Sequence, residues 1–211
     1  MIFSKALTDS MHTITHGLQI PTIIVLLILT LVTLIVLGSI IVEFFTERRV
    51  LKANIPALMA DVHDKSMEDI SKLITKSEIL KYHKKSLLEL IKYSYLPDEE
   101  LEAVAKRLLA DAEDHYNKIV GYTDLIARVA PMFGLMGTLI PLGPGLIALG
   151  QGDTKTLADS LLIAFDTTIL GLVSAAIGYI ISKIRSRWYE DYMVSLEGIM
   201  ECILEEARHN E

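Results

Sequence analysis

Hydroxyl and carboxyl side chains occur inside two long apolar stretches of this sequence. Thr138 lies in the first stretch, and Asp166, Thr167 and Thr168 lie in the second. Each stretch has about 20 residues, enough for a helix to cross the hydrocarbon core of a bilayer. Polar groups inside a membrane are costly unless they are paired or hydrated, and they commonly mark ion pathways. Thr138, Thr168, Asp166 and Thr167 are therefore candidates for lining an ion pathway.

A single hydroxyl in a membrane helix also has a simpler interpretation, because it can bond to the carbonyl four residues before it and do nothing else. Thr138 and Thr168, however, both lie within about one helical turn of the midpoints of their stretches. Both also belong to stripes of small residues. The sequence predicts that they face one another across two packed helices.

Asp166 is the only acid within Arg128–Gly150 and Leu161–Ser182, and it has two interpretations. Successive residues of a helix are about 100° apart, so Asp166 is turned about 200° from Thr168. It is either a group with access to the ion pathway or a residue that pairs with a neighbouring subunit near the outer interface.

Small residues recur in both stretches at spacings of three and four, which places them on one face of each helix. Because small side chains allow membrane helices to approach closely, these faces predict that the two helices pack together. The predicted packing residues are Ala130, Gly134, Gly137, Pro141, Gly171, Ser174, Ala175 and Gly178.

Two segments within residues 129–182 carry a family resemblance. Ala130-Pro131-x-x-Gly134-Leu135-x-Gly137-Thr138 and Thr168-x-x-Gly171-Leu172-Val173-Ser174-Ala175-Ala176 resemble the signature segments of the MotA/TolQ/ExbB proton-channel family, most closely its ExbB/TolQ-like subunits. In the TolQ/ExbB branch, a glutamate typically stands where this chain has Ile163.

The resemblance implies a channel-forming subunit of a motor driven by the proton motive force. It implies a homo-oligomeric ring, typically a pentamer, around single-span partner chains that are similar to ExbD, TolR or MotB and carry the essential membrane aspartate. Sodium could replace protons, since hydroxyl and carbonyl oxygens also coordinate it. The alternative is a non-conducting membrane scaffold that assembles through its small-residue helix faces. A solute transporter is disfavoured by the small number of spans and the lack of inverted repeats.

The composition agrees with a membrane protein, with 51% hydrophobic residues among 211 and a mean hydropathy of +0.41. The net charge of −7 gives no basic surface for nucleic acid. One cysteine, Cys202, excludes an internal disulfide and a cysteine-based metal site. His12 and His16 have the spacing of metal ligands but no third ligand nearby, so we expect them to be solvated. No nucleotide-binding, zinc or hydrolase motif occurs, so the sequence predicts no enzyme, cofactor or metal.

These residues require an all-α membrane protein with three transmembrane helices and long cytoplasmic helical extensions. The predicted segments are an external amphipathic helix (1–19), transmembrane helix 1 (20–45), a cytoplasmic helical hairpin (46–127), transmembrane helix 2 (128–150), a short external loop (151–158), transmembrane helix 3 (159–182) and a cytoplasmic C-terminal helix (183–211).

Lysine and arginine near membrane ends are retained inside, which predicts the orientation. They follow the first span, precede the second and follow the third, so we expect the N-terminus outside and the C-terminus in the cytoplasm, in the inner (cytoplasmic) membrane. Glu43, at the end of the first span, is expected to extend to the interface. Trp188, Tyr189 and Tyr192 are expected to form an inner aromatic belt.

Overall fold

The computed structural model describes residues 10–11, 13–45, 49–63 and 65–209, with only the backbone for 49–54, and this part of the chain contains helices but no strands. The helices are α1 (Gln19–Glu43), α2 (Arg49–Val62), α3 (Met67–Lys76), α4 (Lys81–Lys92), α5 (Asp98–Gly150) and α6 (Thr154–His209).

Three helical segments are long and apolar enough to cross a membrane: Thr13–Glu43, Asp98–Gly150 and Thr154–His209. We call their apolar parts the first, second and third spans. The predicted all-α class, with three membrane-spanning helices and long helical extensions, is confirmed. The predicted amphipathic helix at 1–19 lies mostly outside the described residues, although 13–17 are helical.

A three-residue turn joins α5 to α6. Gly152 adopts a φ of 81° there, a left-handed conformation that glycine adopts without steric cost. Asp153 caps α6, because its carboxylate accepts hydrogen bonds from the backbone N–H of Thr156 at 3.1 Å and from its hydroxyl at 2.5 Å. These bonds to Thr156 lower the pKa of Asp153. A turn this short requires the second and third spans to be antiparallel neighbours.

The described residues form two compact units, which we call the span unit and the extension unit. The span unit comprises those within Met1–Gly38 and Tyr122–Ser182, and the extension unit those within Ser39–Gly121 and Lys183–Glu211. The extension unit has its own apolar core, whose most buried members are Val62, Ile70, Ile74, Leu87, Leu90, Ala112, Leu196, Ile199 and Ile203.

The predicted helical hairpin is more divided than its periodicity suggested. Its first arm consists of α2, α3 and α4, and only the second arm is one helix, the start of α5. Ser66 caps α3 by accepting a hydrogen bond from the backbone N–H of Asp69. Ser77 ends α3 in an extended conformation. Because serine side chains compete for backbone hydrogen bonds, they favour these ends over helix interiors.

The expectation for Glu43 was wrong. Its side chain is 11% exposed, and its Oε2 accepts a hydrogen bond from Nε of Arg185 at 3.1 Å. The Nη2 of the same guanidinium donates to Oγ of Ser39 at 2.8 Å. An arginine 142 positions away in the sequence therefore neutralises the carboxylate within the extension unit.

The expected aromatic belt was also wrong. Trp188, Tyr189 and Tyr192 are all buried within the extension unit. Tyr189 and Tyr192 pack around Tyr116, with ring centroids 4.6 and 6.0 Å from it. A belt residue exposes its ring to the lipid headgroups, whereas these rings fill the space between helices.

His83 provides a pH-dependent test of this packing. It is 1% exposed, and its ring meets those of Tyr116 and Tyr192 edge-on. Burial lowers its pKa from 6.5 to about 4. Between pH 6.5 and about pH 4, the unfolded chain therefore binds a proton at His83 that the folded chain does not bind. The free energy of unfolding should have its full value above pH 6.5 and decrease by about 3 kcal/mol as the pH falls towards 4.

Thermal unfolding of the purified protein from pH 7.5 to 4.5 measures this loss. His83→Phe, which cannot titrate, should show a shallower fall, while the exposed-site control His209→Gln should follow the wild type. If the thermal stability of His83→Phe depends on pH as strongly as that of the wild type, the loss at low pH does not come from His83.

Candidate ion-pathway site

The second and third spans meet backbone to backbone at a pair of glycines. A Cβ atom added to Gly171 would lie 2.8 Å from the carbonyl oxygen of Ala130 and 2.9 Å from Cα of Gly134. Real Cβ atoms do not approach backbone atoms this closely, so glycine is required here. The small-residue faces of the two helices are therefore in direct contact.

The same register continues in both directions along the helix pair. Towards the turn, a Cβ on Gly145 would lie 3.0 Å from Cβ of Ser160. Towards the other end, a Cβ on Gly178 would lie 3.2 Å from the backbone nitrogen of Ala127. The close approach therefore extends along most of both spans.

Thr167 lies inside this contact. It is 5% exposed, and a Cβ on Gly137 would lie 2.7 Å from its Cβ. Its hydroxyl is satisfied within its own helix, at 2.9 Å from the carbonyl oxygen of Ile163 and 3.0 Å from that of Ala164. Thr167 thus fills the gap opposite a glycine, a placement that differs from its predicted position along the ion pathway.

Thr138 and Thr168 lie one residue beyond the contact of Gly137 with Thr167. Their hydroxyls donate to the carbonyl oxygens of Leu135 at 2.6 Å and Ala164 at 2.9 Å, and both side chains are half-buried. In antiparallel helices, a step of about 100° along each chain turns both residues towards the same side of the pair. The two threonines are therefore at one depth on one side, rather than facing one another across the contact.

The first span also packs against α6, next to the contact with the second span, since Ser174 is turned only about 20° from Thr167. Ser174 is 1% exposed, and its hydroxyl lies 3.2 Å from that of Thr30 on α1. Thr22, Leu26 and Thr33 form the buried stripe of α1. Of the other predicted packing residues, Ala130 and Pro141 are buried and Ala175 is half-buried.

Asp166 is exposed and makes no ion pair or hydrogen bond with any residue that the structure describes. On α6 it is turned about 80° from Ser174 and about 200° from Thr168. Its neighbours Leu162, Phe165 and Ile169 are also exposed. An ionised carboxylate on such a surface in hydrocarbon would cost several kcal/mol. In a membrane, this surface requires cover from polypeptide or water.

One polar contact of the span unit was not predicted from the sequence. The hydroxyl of Ser182 donates to Oδ1 of Asp124 at 2.6 Å, and Nη2 of Arg128 lies 3.3 Å from Oδ2. The spacing of Asp124 and Arg128, four residues apart on a helix, was the available signal. It did not reveal Ser182, which is 58 positions from Asp124.

The fold and this site define a three-span helical membrane protein whose second and third spans form a tightly packed pair with hydroxyl groups near mid-span. Residues 46–198 match the model of the MotA/TolQ/ExbB proton channel family, and the chain belongs to that family. The resemblance carried by the two signature segments is thereby confirmed. Members are channels rather than enzymes.

A relative from Methanothermobacter thermautotrophicus, named as a homolog of the biopolymer transport protein ExbB, is 31% identical over 134 residues. The aligned region covers 62% of this chain and 48% of the relative. The chain therefore spans about half the length of that protein.

Proposed function

We propose that this chain is the channel-forming subunit of a motor driven by the proton motive force, in which ion flow does mechanical work on a partner chain. The observation that carries the proposal is the pair of half-buried threonines, Thr138 and Thr168, at one depth on one side of the packed second and third spans. Such hydroxyls can hold water in an otherwise apolar environment.

In the proposed assembly, copies of the chain form a ring, pentameric as is typical of the family, with the threonine sides towards the axis. The first span then lies at the periphery. Its exposed side chains support this arrangement, because they are large and apolar and suit contact with lipid: Ile24, Leu27, Leu31, Leu34 and Ile35.

Asp166 is the residue whose surroundings an assembly would change most. Its angle to Thr168 points it away from the axis, which favours contact with a neighbouring subunit over access to the pathway. A neighbour that donates hydrogen bonds to the carboxylate would remove the cost of exposing it to lipid.

The proton itself requires a group that titrates, and threonine hydroxyls do not titrate in the physiological range. In the proposal, single-span chains like ExbD, TolR or MotB stand in the ring and supply a membrane carboxylate opposite the threonines. The complex lies in the cytoplasmic (inner) membrane with the turn at Gly152 outside. Exposed Lys183 and Arg187 beyond the third span support this orientation, since positive residues are retained inside.

Valine in place of Thr138 or Thr168 tests the pathway. Valine keeps the shape of threonine but removes the hydroxyl, so proton flux through the purified ring with its partner chain in proteoliposomes should fall about tenfold for each lost hydrogen bond. Serine at either position should restore most of the flux.

Thr33→Val is the matched control, because Thr33 is buried in the first span and bonds only to its own helix, at 2.7 Å from the carbonyl oxygen of Leu29. It should conduct normally. Normal proton flux in both pathway variants would overturn the proposal. A ring that conducts neither protons nor sodium would support the alternative, a non-conducting scaffold. Flux of sodium without flux of protons would identify sodium as the transported ion.

A further inference from the structure

The threonine side of the helix pair leads to a carboxylate at its other end. Asp124 precedes Thr138 by 14 positions on α5, and Ser182 follows Thr168 by 14 positions on α6. Fourteen residues complete almost four turns, so each lies within about 40° of the threonine on its own helix and about 21 Å along the axis from it. Asp124 and Ser182 are in contact, at 2.6 Å.

The residues between these two levels are mostly small. On the threonine side, α5 carries Ala127 and Pro131, and α6 carries Ala175, all of them small and half-buried. Tyr179 lies on the same side of α6 with an exposed phenol ring. The polar groups at the two ends are thus joined by a surface with few bulky side chains.

The carboxylate of Asp124 is contacted by two polar side chains, those of Ser182 and Arg128. Ser182, which is buried, donates to one carboxylate oxygen, while the second oxygen faces the exposed guanidinium of Arg128. Asp124 itself is half-buried. Within Tyr122–Gly150, all of which the structure describes, Asp124 is the only acid.

We propose that Asp124 is the proton-exchange group at the inner end of the pathway, and that Ser182 positions it. The inference rests on the proposed function. The carboxylate of Asp124 takes a proton from a hydronium ion in the path, leaving water and a neutral acid. It then gives that proton to a water molecule on the cytoplasmic side and is again a carboxylate. Threonines cannot perform this step, because they do not titrate.

Asp124→Asn is the main test, because asparagine can still accept the hydrogen bond from Ser182 but cannot carry a proton. Proton flux in the assembled complex should fall on the order of a hundredfold, as expected on removal of a proton-transfer group. Asp124→Glu should retain most of the flux. Ser182→Ala, which leaves the acid but releases it, should have a smaller effect than Asp124→Asn.

Asp114→Asn is the matched control, because Asp114 is an exposed acid of the same helix that is paired with Lys118. It should conduct normally. If Asp124→Asn fails to assemble, the exchange variant Asp124→Ser with Ser182→Asp keeps the hydroxyl–carboxylate pair across the helices, and it should conduct.

Wild-type flux in Asp124→Asn would overturn the inference, as would equal losses in Asp124→Asn and Asp124→Glu, which would indicate a purely structural contact. The Thr138→Val and Thr168→Val variants, measured in the same preparation, separate the two proposals. If they lose flux while Asp124→Asn does not, only the assignment of Asp124 fails.

Discussion

Replacement of Arg185 by alanine is expected to lower the free energy of unfolding by about 3–5 kcal/mol, because it leaves the carboxylate of Glu43 buried without a partner. Both side chains of this pair are only 10–11% exposed, so water cannot take the place of the guanidinium. Thermal or denaturant unfolding of the purified protein measures the loss. Lysine should not restore full stability, since one ammonium cannot reproduce the planar guanidinium that contacts both Glu43 and Ser39.

The double variant Arg185→Ala with Glu43→Ala should be less destabilised than Arg185→Ala alone, because no unpaired charge remains. Arg107→Ala is the control. Its ion pair with Asp111 is exposed, with 78% and 49% of the two side chains accessible, and such pairs contribute at most about 1 kcal/mol. Equal losses in the Arg185 and Arg107 variants would show that the pair with Glu43 is hydrated in solution.

Leucine at Gly171 is expected to prevent recovery of the folded protein. The first added carbon would already lie 2.8 Å from the backbone oxygen of Ala130, and a backbone carbonyl in a helix cannot turn aside. The second and third spans would have to separate, which would remove the close contact at Gly137 as well. Overpacking by a few atoms alone costs about 1–3 kcal/mol, and leucine adds more. Gel filtration of the detergent-solubilised protein measures recovery.

Gly38→Leu is the control, because a Cβ at Gly38 meets nothing within 4 Å and leucine suits a lipid-facing position. It should yield the folded protein normally, and Gly171→Ala should give an intermediate result. Normal recovery of Gly171→Leu would mean that the spans are further apart than the structure describes.

Much of the fold could be predicted because the bilayer constrains it. Uncharged stretches of sufficient length identified the spans, and spacings of three and four identified the small faces that pack together. The acids after Pro97 marked the start of α5 at Asp98. These are local patterns, which can be read without knowing which distant residues meet.

The finer geometry could not be predicted because it depends on register. Thr167 and Thr168 are adjacent, and both fit a stripe about 100° wide. Only the approach of Gly171 to Gly134 decides that Thr167 turns inwards. The prediction for Glu43 was wrong for a related reason. Nothing in the sequence around Glu43 indicates that it pairs with an arginine 142 positions later.

The glycine contacts between the second and third spans have a consequence for movement in the proposed motor. At Gly134, Gly171 and Gly178, the position of an added Cβ lies 2.8 to 3.2 Å from a backbone atom of the facing helix, so there is little room for a side chain to slide past. Such close contact opposes sliding between the two helices, so they should move together as one rigid unit. In the proposed motor, ion-driven movement should therefore take place between subunits, or between a subunit and its partner chain, rather than within the helix pair.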